Sequence, residues 1–186
     1  ALATAGAAHA QTKVFVIDEA KIRDGSKIGA DIRAKLGAIE QEGIEKLGLK
    51  SLSDQIQAEQ TRLQPQLQSI VGDDGSVAVD SLDSNPTLKS QVEALGQKQI
   101  ELRQKSSVLS QNLAQQQSVA MAAFTAALAP AVNHVAAQEG ADVVLSVAST
   151  WYVKDTVDLS AKVIQRLDAT TPTLASLEAA LQPPAQ

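Results

Sequence analysis

Residues 86–113 read P-T-L-K-S-Q-V-E-A-L-G-Q-K-Q-I-E-L-R-Q-K-S-S-V-L-S-Q-N-L. Leu88, Leu95, Leu102 and Leu109 recur every seven residues, and Val92 and Leu113 each lie four residues after one of them. This narrow stripe is the seam of a helix that packs along another helix. The equivalent positions after Leu95 and Leu102 are Gln99 and Ser106, so the seam is partly polar. Pro86 stands at the start, where a missing backbone N–H costs nothing. Downstream the pattern continues through Ala120, Phe124, Leu128 and Val135 to Gly140, a helix stop. Pro130 predicts a kink or a lengthened turn on the way.

Upstream, residues 71–86 hold four Asp and no Lys or Arg, with Gly72, Gly75 and Pro86 among them. This is a turn between helices. Before it, Ile28, Ile32, Leu36 and Ile39, then Leu52, Ile56, Leu63, Leu67 and Ile70, form a second stripe, less regular from Gly43 to Leu49. Two helical stretches of roughly 45–55 residues, each about 65–80 Å long, therefore flank one turn. The natural solution is an antiparallel hairpin over residues 28–140 with its tip at 71–86.

The two ends have a different period. K-V-F-V-I at 13–17 is a short strand, and A-D-V-V-L-S-V-A at 141–148 is another. Trp151, Tyr152 and Val153 read as a further strand, and Asp158 as the N-cap of a helix over Leu159–Leu167. Residues 13–27 and 141–168 should thus form a small β body, with 169–186 a flexible tail. The fold class is α+β, mostly α. Two or three short strands cannot make a stable sheet alone, and open edges invite aggregation. A closed multi-subunit barrel would solve both problems, and the apolar residues Val14, Val16, Val143, Leu145 and Val147 are its predicted interface.

Composition narrows the function. The 186 residues are 44% hydrophobic but only 2% aromatic, which suits long helices better than a large compact core. The absence of cysteine excludes a disulfide scaffold and a thiol nucleophile. A net charge of −5 gives nucleic-acid binding little electrostatic support. No apolar run approaches the roughly 20 residues needed to cross a bilayer. Ala8-His9-Ala10 before Gln11 has the small-x-small form of a signal-peptide cleavage site, so residues 1–12 are a signal-peptide remnant or a flexible tail. His134 reads as a half-exposed helix residue, and Asp73-Asp74-Gly75 as a turn without the ligand count of a calcium loop. No catalytic, metal or cofactor site is predicted, and the chain does not read as an enzyme. Six glycines in or near the helices, Gly43 and Gly48 among them, read as points of flexure in the arms, with close helix packing as the alternative.

The order of elements resembles the Skp/OmpH family. K-V-F-V-I-D at 13–18 is similar to that family's first strand. A-D-V-V-L-S-V-A-S-T-W-Y-V-K-D-T-V-D-L-S-A-K-V-I-Q-R-L at 141–167 is similar to its closing pattern. The resemblance implies a periplasmic homotrimer in which a β-barrel core carries helical, coiled-coil tentacles. It implies an ATP-independent holdase that keeps unfolded outer-membrane proteins from aggregating in the cavity between its arms. Some members also contact lipopolysaccharide or anionic membrane, but the acidic tip here matches no basic cluster. The client-binding residues stay unknown. The alternative is a coiled-coil envelope spacer or adaptor that binds one folded partner.

Overall fold

Strand β1 (Val14–Ile17) lies parallel to β2 (Val143–Ser146), with Val14 opposite Val143 and Ile17 opposite Ser146. The computed structural model describes residues 12–70, 82–170 and 173–181. The signal-like segment up to Gln11, most of the expected tip with Asp73, Asp74 and Gly75, and parts of the C-terminal tail lie outside the described residues. Among those described, the other elements are α1 (Glu19–Gly25), α2 (Lys27–Lys46), α3 (Leu49–Gln68), α4 (Pro86–Glu139), α5 (Ser160–Thr170) and α6 (Leu174–Leu181). Short 3-10 turns occupy Val147–Ser149 and Asp155–Val157.

Local chemistry sets the boundaries. Asp18 caps α1, its carboxylate accepting from the Lys21 N–H at 3.0 Å. Asn85 caps α4 by accepting from the Leu88 N–H at 3.1 Å, with Pro86 in the first turn. Gly140, at φ 66°, ends α4, and the following Ala141 N–H bonds back to the Ala136 carbonyl at 2.9 Å. The first arm is two helices, because the chain turns at Gly48 with φ 62°, a left-handed conformation that glycine adopts without strain. The second arm is one helix of 54 residues that runs unbroken through Pro130, in place of the lengthened turn anticipated there.

The chain divides into two compact units, Ala1–Lys35 with Gln116–Gln186, and Leu36–Gln115. The first reaches beyond the expected body of 13–27 and 141–168. The reason is burial: Ile28 and Ile32 of α2 and Phe124, Leu128 and Val135 of α4 are buried in the protein, as are Ile22, Val163 and Leu167. Two four-residue strands cannot supply a core, so the nearby ends of the long helices do so. Each fully buried aliphatic contributes about 1.5–3 kcal/mol. Over its apolar stretch α4 is long and apolar enough to cross a membrane by length and composition alone, contrary to the sequence reading. Ala120, Ala123, Phe124, Leu128, Ala131 and Val135 of α4 form a buried face, while 33% of that apolar stretch is buried in all.

In the second unit α3 and the N-terminal half of α4 run antiparallel. Gly43 approaches Leu109, while Leu63 and Leu67 line the same groove as Leu95. Positions therefore descend along α4 as they rise along α2 and α3. Leu52, Ile56, Leu63 and Leu88 are buried here.

Residues 174–181, expected within a flexible tail, form α6, and Leu174 is only 4% exposed. Residues 151–153, expected as a strand, are irregular, because the only strand partner described for β2 is β1.

The glycines divide by environment. A Cβ at Gly29 would stand 1.5 Å from the Arg23 carbonyl oxygen, so the α1–α2 corner requires glycine. A Cβ at Gly43 would meet a Leu109 methyl at 2.3 Å, a contact that favours the close-packing reading at this position. Gly37 and Gly96 face open space. Gly29→Ala should therefore destabilise the protein at or above the top of the roughly 1–3 kcal/mol range for overpacking. Gly37→Ala and Gly96→Ala should each stabilise it by about 1 kcal/mol. Urea midpoints of the three variants against wild type check both signs.

Candidate functional site

Paired residues of parallel strands point to the same side of a sheet. The register therefore places Val14, Val16, Val143 and Leu145 on one face, and Phe15, Ile17, Val144 and Ser146 on the other. Val14, Val143 and Leu145 are 43%, 41% and 41% exposed. Val16 differs: it is 5% exposed, because residues 158–159 run alongside it and the Leu159 N–H donates to its carbonyl at 2.9 Å. Of the five predicted interface residues, Val16 thus belongs to the core of the single chain. Val147 is half-buried and opens a 3-10 turn outside the strand. The remaining three form an open apolar row.

Two residues that the sequence reading left out of the interface are more exposed still. Trp151 is at full exposure and Tyr152 is 78% exposed. Half of the chain's four aromatics are therefore in water, although large aromatics are the residues that gain most from burial. Their adjacency just after a short strand, in a chain so poor in aromatics, was the signal that could have flagged them.

Polar bonds between the chain ends hold this apolar row in place. The Asp142 carboxylate accepts from the Lys13 N–H at 2.7 Å, and the Ser160 hydroxyl accepts from the Asp18 N–H at 2.8 Å. Asp168 accepts from the Lys27 N–H at 2.8 Å and so caps α2 from α5. Asp158 receives both the Lys21 ammonium and the Ser160 N–H at 2.8 Å. Burial pushes the Asp158 carboxyl up, but the bonds from Lys21 and Ser160 outweigh it and hold the group below its ordinary value. The same contact, first through its hydrogen bond and then through the charge of Asp158, raises the Lys21 ammonium.

The predicted arm seam lies in the second unit. Leu88 is buried, while Val92, Leu95, Leu102, Leu109 and Leu113 are half-buried. Around it run shallow grooves. One of about 750 Å³ lies beside the Gly48 turn, lined by Ile44, Lys50, Asp54 and Ala58 among others. Another of about 470 Å³ is lined by Leu63, Leu67, Leu95 and several glutamines. Ile100 and Val108 stand 42% and 57% exposed. The charges here are largely paired within their own helix: Glu42 with Lys46, Lys50 with Asp54, Glu59 with Arg62, and Glu101 with Lys105. Hydrogen bonds from Lys46 and Arg62 hold the carboxyls of Glu42 and Glu59 below their ordinary values. Exposed pairs of this kind add little stability. They do leave a surface without a strong field of either sign, interrupted by small apolar areas.

The family model for Outer membrane protein (OmpH-like) matches residues 13–167. Among solved structures, a candidate outer membrane chaperone (OmpH-like) from Caulobacter crescentus CB15 has a similar fold. Its TM-score is 0.59 at 17% identity over 88% of each chain. No curated protein matches the chain.

The Lys21–Asp158 contact predicts a pH dependence. An Asp held below its ordinary value stabilises the fold fully above its unfolded value of about 3.9, and loses that contribution as pH falls through the folded value. Asp158→Asn should lower stability near pH 7 by about 1 kcal/mol or more. It should also flatten the acid limb of the stability profile below about pH 4. Urea midpoints of both proteins between neutral and acidic pH measure the difference.

Proposed function

We propose, for a chain that belongs to the OmpH-like outer membrane protein family, that it is a periplasmic, ATP-independent holdase. Its clients are unfolded outer-membrane proteins, and three copies assemble through the β body. The observation that carries the reading is the surface of the helical unit. Open grooves and scattered aliphatics mark it, Ile44, Leu67, Ile100 and Val108 among them. An unfolded β-barrel protein presents many short apolar segments in no fixed geometry. A shaped pocket selects one geometry, whereas many weak contacts presented together gain from high effective concentration. The near-neutral charge favours such contacts over salt-sensitive steering.

What supports the assembly reading is the open row at Val14, Val143 and Leu145 together with Trp151 and Tyr152. These side chains gain about 25 cal/mol per Å² of apolar surface removed from water. The outer edge of β2 offers backbone groups for strand addition. Closure with two further copies would satisfy both.

The test is an aggregation assay with a urea-unfolded outer-membrane β-barrel protein and no nucleotide. Near-stoichiometric suppression is expected. Failure to suppress, with tight binding to one folded partner, would instead establish the adaptor. Leu145→Asp places a charge on the open face and should shift the mass seen by light scattering from trimer towards monomer. A wild-type protein that is a stable monomer at micromolar concentration would defeat the assembly model.

A further inference from the structure

Helix α6 lies beyond residues 13–167, the span of the family match, yet it is docked against the first unit. Two residues anchor it. Leu174 is 4% exposed, and Glu178 is an ion-pair partner of Lys35 on α2, with side-chain exposures of 11% and 34%. Lys35 is the last residue of α2 within this unit, since the helical unit begins at Leu36. On its other side α6 meets α4 and α5. Leu177 lines a recess of about 330 Å³ together with Ala126, Ala127, Pro130, Ala131 and Arg166. One short helix thus spans the segments of α2 and α4 that lead towards the helical unit.

The docking is incomplete in two respects. The second carboxylate oxygen of Glu178 is buried without a hydrogen-bond partner among the described residues, although its first oxygen is bonded to Lys35. A buried acceptor left unbonded weakens the docked state. The recess beside Leu177 stays open among the described residues, so part of the available packing is forgone there. Pro130 contributes to that recess: it has no N–H to offer, and its ring takes the place of a closely packing side chain.

We propose that α6 is a releasable brace: a C-terminal helix that clamps the root segments of α2 and α4 through the Lys35–Glu178 pair and the Leu174 plug, and lets go as a unit. The two anchors hold different kinds of contact, one ionic and one apolar, so both must break for release. Docked and released forms are then two states whose populations a few contacts decide. The brace sets how freely the root segments fluctuate. Its consequence for admitting clients of different bulk rests on the chaperone reading, whereas the brace itself does not.

The experiment is hydrogen exchange on the full chain without any client. It compares wild type, Leu174→Asp, Glu178→Lys, and the charge swap Lys35→Glu with Glu178→Lys. Leu174→Asp and Glu178→Lys should speed exchange of α2 amides at 28–35 and α4 amides at 120–131 by roughly tenfold or more, the factor carried by a lost charge-assisted hydrogen bond. Amides of β1 and β2 should keep wild-type rates, which separates release of the brace from loosening of the whole unit. The charge swap should restore slow exchange at the root segments. Wild-type rates in Leu174→Asp, or a swap that exchanges as fast as Glu178→Lys alone, would overturn the proposal. Client capture by the same proteins is measured separately, so a failed chaperone assay leaves this result unaffected.

Discussion

The structure depends on one improbable contact, the parallel pairing of Val14–Ile17 with Val143–Ser146. Parallel strands need a crossover connection, and here the whole stretch from residue 18 to residue 142 serves as one. Eight residues of ladder cannot repay the closure of so long a loop. Two things make it feasible. The described part of the intervening chain is mostly helical, so most of its backbone hydrogen bonds are local and do not depend on the ladder. The ladder is also reinforced by side chains on both flanks: Asp142 on Lys13, Ser160 on Asp18, Asp158 on Lys21, and Asp168 on Lys27. Each joins residues near one terminus to residues near the other. Behind the ladder, Ile22, Val163 and Leu167 supply the apolar burial that the strands cannot.

That closure leaves a definite remainder. One face of the ladder keeps Val14, Val143 and Leu145 open, and the outer edge of β2 has no strand partner among the described residues. The helical unit faces the opposite constraint. Its seam is only half-buried from Val92 to Leu113, and the chain in front of it is broken at Gly48. The long helix α4 is continuous while its partner is two helices, so grooves open where the partner turns. The first unit thus offers a defined apolar face, and the second a dispersed one. The proposed function assigns assembly to the first of these surfaces and client contact to the second.

Much of this was legible in the sequence. The seven-residue leucine spacing from Leu88 to Leu109 and the switch of period at Gly140 fixed the order of elements. Pro86, Gly140 and Asp158, read as boundaries, do sit at boundaries, and the structure adds Asp18 and Asn85 as helix caps. What was not legible depends on neighbours remote in the chain. Val16 alternates in phase with Val14, and only the passage of residues 158–159 beside it makes one buried and the other open. Gly43 and Gly96 look equivalent on helical stretches, yet one packs against Leu109 and the other faces open space. Helix α6 is eight residues between prolines, too short to be stable alone; its docking through Leu174 and Glu178 decides the matter. The expected strand at Trp151 has no strand partner among the described residues, and strand propensity without a partner makes no strand.

The pairing of the two chain ends can be measured directly, because the chain has no cysteine of its own. Phe15 and Val144 are register partners on one side of the ladder, whereas Leu145 points to the other side. Neighbouring strands bring Cα atoms within the 4.4–6.8 Å that a disulfide tolerates, and a one-residue slip reverses the side-chain direction. Phe15→Cys with Val144→Cys should oxidise to an intramolecular disulfide under native conditions, while Phe15→Cys with Leu145→Cys should stay reduced. Equal oxidation of the two pairs, or bonds formed only between separate chains, would contradict the in-register closure from which the rest of the account follows.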